Sequence, residues 1–241
     1  MTIALITGAN RGIGLATAQR LADAGMHVIV TSRDASAAER AAAEIGNGAE
    51  ALALDVTEAS SVKQAAAEVE RHHGRLDVLV NNAGILPEAT NAEPTEIVDL
   101  SMFTQTFATN LVGSVAVLES FLPLLRRSDA GRIVNVTTTM ASLQDQVDPS
   151  SPYYGMVMPA YQSSKAALNN VTIALAKQLT DTSIKVTSVC PGFVQTDLTP
   201  INKEQAPTTP EEAADVVVRA VSLPSDAPSG QFIGAQGTIP W

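Results

Sequence analysis

Thr2-Ile3-Ala4-Leu5-Ile6-Thr7-Gly8-Ala9-Asn10-Arg11-Gly12-Ile13-Gly14 starts as a short apolar run and breaks into a glycine turn. Leu15, Ala18, Leu21 and Ala22 then recur at helical spacing as far as Gly25, a C-cap candidate. That pattern predicts strand, turn and helix in sequence. Gly8 permits a tight turn, Gly12 lets the main chain approach a pyrophosphate, and Gly14 lets the helix pack closely. The start of such a helix offers free N–H groups and partial positive charge to phosphates. The spacing is G-x-x-x-G-x-G rather than the commoner G-x-G-x-x-G. By itself the turn is also compatible with an ordinary glycine-rich loop.

The same alternation continues outward. Strands are predicted at His27–Thr31, Glu50–Val56, Leu76–Val80, Arg132–Val136, Ile184–Cys190 and Gln231–Ile233. Helices are predicted at Ala35–Ile45, Glu58–His73, Pro94–Thr109, Leu111–Arg127, Pro159–Leu179 and Pro210–Ser222, with a break near Asn110. Strands alternating with helices imply right-handed crossovers and an α/β fold, a doubly wound parallel sheet with helices on both faces. Irregular zones fall at 86–93, 143–158 and 195–209. They follow strand ends, where such folds place ligands.

Composition agrees with this outline. A chain of 241 residues reads as one domain, 1–241. Its hydrophobic share is 45% and its mean hydropathy +0.12. No unbroken apolar stretch approaches the roughly 20 residues of a membrane span. So much apolar material in strand-sized runs suggests a sheet buried on both faces. Fifteen basic against 25 acidic residues leave a net charge of −10. That excess argues against nucleic acid and against an anionic membrane surface as partners. Cys190 is the single cysteine, so an internal disulfide and a cysteine-based zinc site are excluded. Cys190 reads as a small buried side chain. The three histidines show no ligand spacing, so no metal is expected, and His72-His73 read as dipole partners at a helix end. The N-terminus lacks a basic leader region, which makes the cytoplasm the expected location.

Two further features carry chemistry. The second strand ends in Thr31-Ser32-Arg33, where an acidic residue would bind the ribose 2′-hydroxyl of NAD. Arg33 can pair with a 2′-phosphate, and Arg11 can close over the same group, which points to NADP(H). Asp34 is a competing partner for Arg33, and solvated arginines are the plain alternative. Tyr161 and Lys165 stand four apart on one helix face. A tyrosine is a poor base at neutral pH, but a nearby ammonium and an oxidised nicotinamide would favour its phenolate. Tyr161 then becomes usable as a general acid or base.

Taken together, Thr7-Gly8-Ala9-Asn10-Arg11-Gly12-Ile13-Gly14, Asp55-Val56, Asn81-Asn82-Ala83-Gly84, Asn110, Tyr161 with Lys165, and Pro191-Gly192 through Thr196 resemble the short-chain dehydrogenase/reductase family. The resemblance runs over nearly the whole chain and looks most like the NADPH-dependent carbonyl reductase branch. It implies that Asn10, Arg11 and Ile13 line the phosphates and ribose. Asp55 would bond the adenine amine, with Val56 beside it, and Asn82, Ala83 and Gly84 would lie near the cofactor ribose. Tyr161 would donate a proton to a ketone oxygen. Lys165 would hold the nicotinamide ribose and lower the tyrosine pKa, and Asn110 would anchor a water near Lys165. Beyond Pro191 and Gly192, Val194 would meet the carboxamide through its backbone, and Thr196 would bind the carboxamide or a phosphate oxygen.

Two departures accompany this resemblance. The family's catalytic serine is replaced by Thr138, with Thr139 and Ser142 as rival hydroxyls. Threonine can still polarise a carbonyl, although its methyl group restricts the side chain. The spacing from there to Tyr161 is long, so 143–158 reads as an insertion. Larger insertions occur in monomeric carbonyl reductases of the family, and Ile239-Pro240-Trp241 looks like that branch. A monomer or a dimer is therefore expected. Tyr153, Tyr154, Met156 and Met158 would reach a substrate from this insertion, with Phe193 and the loop 195–209 completing the pocket; covering core surface is their plain alternative. The expected activity is hydride transfer from NADPH to a small ketone or aldehyde, with Tyr161 as general acid. An NAD(P)-dependent alcohol dehydrogenase and a non-catalytic NADP-sensing protein are the alternatives.

Overall fold

Every residue of β1 (Ile3–Ile6) is buried, because this strand lies inside the sheet and is covered on both faces. The computed structural model describes residues 1–90 and 96–241. After β1 come α1 (Gly12–Asp23), β2 (His27–Ser32), α2 (Ala35–Ile45), β3 (Glu50–Ala53), α3 (Ala59–His73) and β4 (Val78–Asn81). The second half holds α4 (Leu100–Phe107), a π-helical turn (Ala108–Gly113), α5 (Ser114–Leu125), β5 (Arg132–Val136), α6 (Leu143–Val147) and α7 (Pro159–Gln178). It closes with β6 (Lys185–Val189), α8 (Pro200–Gln205), α9 (Pro210–Val221), β7 (Gln231–Gly234) and β8 (Gly237–Thr238).

The described residues form one eight-stranded sheet in the order β3-β2-β1-β4-β5-β6-β7-β8. All pairings are parallel except β7 with β8. Alternate residues of each strand point to opposite faces. Ala4, Ile6, Val28 and Val30 meet Leu21 of α1, Ile45 of α2 and Val217 of α9. Leu5, Ile29 and Ile133 meet Val69 of α3 with Phe121 and Leu124 of α5. Two core layers on one sheet account for the high hydropathy. Trp241 stacks on Phe232 of β7, with ring centroids 5.5 Å apart, and pins the C-terminus to the sheet.

Differences from the sequence expectations have local causes. The strand predicted at Glu50–Val56 stops at Ala53, because β3 is an edge strand and its partner β2 ends opposite it, at Ser32. The helix predicted from Pro94 starts at Leu100, where the Asp99 carboxylate accepts the N–H groups of Ser101 and Met102. Pro94 and Thr95 lie outside the described residues, as do 91–93 of the first irregular zone. The break near Asn110 is the π-helical turn. The zones 143–158 and 195–209 contain α6 and α8, started by Ser142 and Thr199 respectively. The run Leu100–Leu125 is long and apolar enough by length and composition to cross a membrane, with a mean hydropathy of 1.5. Its Val117, Leu118, Phe121, Leu124 and Leu125 are nevertheless packed into the core.

The fold also gathers residues whose sequence spacing showed nothing. His27 at the start of β2, Glu50 at the start of β3 and His73 at the end of α3 come together. His73 therefore turns to the Glu50 carboxylate, at 2.9 Å, and is more than a helix-end partner.

Phe121 is fully buried at the centre of its layer. Phe121→Ala should cost about 3–5 kcal/mol. Urea unfolding followed by circular dichroism will show this as a lowered midpoint with a near-native folded spectrum.

Candidate active site

In a parallel sheet the segments leaving the carboxyl ends of the strands share one edge. The glycine turn after β1, Asn82-Ala83-Gly84 after β4, Thr137–Ser142 after β5 and Cys190–Thr196 after β6 all lie there. The glycine turn is tied to β4 by side chains. Asn82 Nδ2 donates to the carbonyls of Thr7 (2.9 Å) and Gly8 (3.1 Å). Thr7 Oγ1 accepts the N–H groups of Asn82 and Ala83. Gly8 has φ +63°, a left-handed conformation that favours glycine. A Cβ at Gly14 would stand 2.5 Å from Asn82 Nδ2 and 2.6 Å from the Gly8 carbonyl, so nothing larger fits. On the far side of the turn, Thr196 packs against Gly12.

Tyr161 and Lys165 lie on one face of α7, and both are buried. Lys165 Nζ donates to the Val136 carbonyl at the end of β5 (2.8 Å) and sits 6.0 Å from the Tyr161 ring centre. A Cβ at Gly84 would lie 3.4 Å from Lys165 Nζ and 3.4 Å from Asn110 Oδ1, so these two polar groups flank the space above Gly84. Asn110 is held in the π-helical turn. Its Oδ1 accepts from Ile85 N–H (2.8 Å), and its Nδ2 donates to the Ile85 carbonyl (3.0 Å) and Ser164 Oγ (3.2 Å).

Burial governs both titrations. It lowers Lys165 to about 8. It raises the Tyr161 phenol well above its ordinary range, and Cys190 adds to that. Desolvation, more than any neighbouring charge, sets the direction of the phenol's shift. Tyr161 therefore keeps its proton across the neutral range.

The hydroxyls after β5 divide their tasks. Thr137 donates to the Val189 carbonyl, and Thr139 donates to the Tyr153 hydroxyl at 2.7 Å. Ser142 accepts from Asp145 N–H at the start of α6. Thr138 Oγ1 accepts from Met140 N–H at 3.2 Å, which leaves its own proton available for donation. The turn carrying Thr138 packs against α7. Around this edge Tyr154, Met156, Val157 and Phe193 are exposed and Met158 is partly covered.

The remaining candidates are distributed along the same edge. Asp34 caps α2 through Ser36 N–H, and Arg33 beside it is exposed. Arg11 lies 3.7 Å from Asp197 in an exposed ion pair. Asp55 accepts from Thr57, and Val56 packs against Gly113. Val194 is buried, and its carbonyl accepts from Asn202 (3.1 Å). Gly192, next to Pro191, is left-handed at φ +88°.

Sequence reasoning missed Glu88. The residue before α7, Met158, supplies no capping side chain. Glu88 fills that role: its carboxylate accepts the N–H of Ala160 (3.0 Å) and of Tyr161 itself (2.8 Å). A carboxylate at a helix N-terminus is favoured by the free N–H groups and the dipole. A helix start with proline but no capping residue was the available signal. Gln162 was also missed; it bonds Met158, Met140 and Met156, tying α7 to the segment before it.

Residues 2–207 match the short chain dehydrogenase family. A short-chain dehydrogenase of Penicillium roqueforti, anuI, is 35% identical over 233 residues, covering 91% of this chain and 88% of that protein. The NADPH-bound carbonyl reductase from chicken fatty liver superposes with a TM-score of 0.83 at 26% identity, covering 100% of this chain and 98% of that one. A 3-ketoacyl-(acyl-carrier-protein) reductase from Brucella melitensis, complexed with NADH, gives 0.81 at 28% identity, covering 97% and 96%.

The lowered pKa of Lys165 has a measurable sign. Its folded value, about 8, lies below the unfolded value of about 10.4. Between these values the unfolded chain binds more protons, so stability gains as pH rises through the window. Lys165→Met removes this burial cost. The variant's stability advantage over the wild type should be largest near about pH 7 and shrink toward about pH 10. Urea titrations across that range check it, and a constant difference contradicts it.

Proposed function

The chain belongs to the short chain dehydrogenase family of oxidoreductases, and on that premise we propose that it reduces a ketone or aldehyde with NADPH. The observation that carries the reading is the buried pair Tyr161 and Lys165 on α7, with Lys165 beside Gly84 and Asn110 at the carboxyl edge of the sheet. The turn fits a dinucleotide. Gly8, Gly12 and Gly14 leave bare main chain in the turn leading into α1; Gly8 and Gly12 are left-handed, and a side chain at Gly14 would collide. Asn10, Arg11 and Ile13 would hold the phosphates and ribose, Asp55 and Val56 the adenine, and Asn82, Ala83 and Gly84 the ribose region. Val194 and Thr196, following Pro191 and Gly192, would hold the carboxamide. Exposed Arg33 would take the 2′-phosphate, since Asp34 is engaged in capping α2. Bound NADPH supplies the hydride.

The chain's own groups supply the rest. Tyr161, protonated in its buried setting, gives its proton to the carbonyl oxygen. Thr138 donates its free hydroxyl hydrogen to the same oxygen and steadies the charge that develops there. Lys165 holds the ribose hydroxyls, and its charge favours the phenolate left behind. The space above Gly84, flanked by Asn110 Oδ1 and Lys165 Nζ, admits a water that returns a proton from solvent. Met156, Met158 and Phe193, with residues 143–158 and 195–209, form an apolar mouth suited to a medium-sized carbonyl compound.

NADPH consumption with aryl ketones, ketoesters and diketones tests the reading. Tyr161→Phe should lower kcat by about 10²–10⁴ with NADPH affinity intact. Thr138→Val should be impaired and Thr138→Ser active. Full activity in Tyr161→Phe overturns the assignment. For the cofactor, Arg33→Ala should weaken NADPH binding by about tenfold or more while NADH binding is unchanged, since a hydrogen bond to a charged group contributes about 1.5–3 kcal/mol. Unchanged NADPH affinity would remove Arg33 from the site.

A further inference from the structure

At the opposite edge of the sheet, the amino ends of β2 and β3 meet the end of α3. There His27 Nε2 lies 3.0 Å from Glu50 Oε1, and His73 Nε2 lies 2.9 Å from Glu50 Oε2. One ligand atom from each residue falls within 4.8 Å of the other two. From this geometry we propose that His27, Glu50 and His73 form a binding site for a zinc-class divalent transition-metal ion.

The two histidines are not equivalent. His73 makes a well-formed hydrogen bond with Glu50. His27 Nε2 is buried and close to the carboxylate, yet has no hydrogen-bond partner among the described residues. Nε2 of His27, Nε2 of His73 and the Glu50 carboxylate thus converge on one small region. A cation there would satisfy His27, His73 and Glu50 together.

The donor set selects the ion. Two imidazole nitrogens and one carboxylate oxygen are the ligands of a three-residue zinc site, at about 2.0–2.2 Å from the metal. Tetrahedral coordination at those lengths places ligand atoms roughly 3.3 Å apart. The observed separations, 3.0 Å from His27 to one Glu50 oxygen and 2.9 Å from His73 to the other, are a few tenths of an ångström shorter than that spacing, so a small outward shift of these side chains admits the ion. Magnesium and calcium prefer all-oxygen shells. Glu50 and His73 also line a surface cavity of about 250 Å³, together with Ile29, Leu52, Glu68 and His72. Water can complete the coordination, and Glu68 adds negative charge nearby.

The ligands are held on regular structure. Glu50 is opposite Ile29 in the β2–β3 register, and His27 is opposite Ile3 in β1–β2. His73 ends α3, which is closed by left-handed Gly74. The histidine rings stand 5.1 Å apart at 49°. An ion bound here would clip the edge strand β3 to β2 and α3. Its effect would be on stability, independently of the proposed hydride transfer.

The test uses the full-length, tag-free chain stripped with a chelator, then titrated with zinc chloride by calorimetry and with cobalt chloride by visible absorption. The expected result is one ion per chain and the strong d–d absorption of tetrahedral cobalt. At a hundredfold excess of zinc over its Kd, Tm should rise by roughly 5 °C or more. His27→Gln, Glu50→Gln and His73→Asn, each confirmed folded by circular dichroism, should bind at least tenfold more weakly. Absence of stoichiometric zinc binding, a hydrated octahedral cobalt spectrum in the wild type, or undiminished binding in all three variants would overturn the proposal.

Discussion

The carboxyl ends of β1 and β4 are stitched together by two side chains. Asn82 reaches across to the carbonyls of Thr7 and Gly8, while Thr7 receives the N–H groups of Asn82 and Ala83. This holds the glycine turn open and fixes the start of α1 beside the loop after β4. It also explains why position 14 must lack a side chain: the Asn82 amide occupies that space. Everything proposed for the dinucleotide depends on this narrow junction, because the turn's free N–H groups are useful only if the main chain is held still.

The other half of the site is governed by burial. Among the described residues Lys165 has a carbonyl partner and no carboxylate, so its charge is retained at some cost and its pKa falls. Tyr161 is buried beside it and keeps its proton. Glu88 contributes from outside the pair by engaging the first turn of α7, including the main chain of Tyr161. The long helix is thereby held from the loop after β4 as well as from the sheet.

The strand–helix rhythm was legible because buried parallel strands read as continuous apolar runs and the covering helices repeat their small residues at helical spacing. The break at Asn110 was legible for the same reason, as an interruption of that repeat. Less was visible where one element depends on another far along the chain. The early end of β3 follows from the length of β2, and the cap of α7 comes from Glu88. His27, Glu50 and His73 belong to three different elements, and only the sheet register brings them together. The choice among Thr137, Thr138, Thr139 and Ser142 likewise turns on their hydrogen-bond partners, about which residue type is silent.

The π-helical turn at Ala108–Gly113 places one extra residue in what would otherwise be a continuous rod. Each residue advances an α-helix by roughly 100°, so the turn acts as a phase shifter between α4 and α5. Asn110 can face Ile85 and Ser164 while Val117, Phe121 and Leu124 still face the sheet. The segment should therefore be sensitive to length more than to composition. Removing one residue would rotate one flank relative to the other and break either the Asn110 brace or the apolar seam, however conservative the remaining sequence.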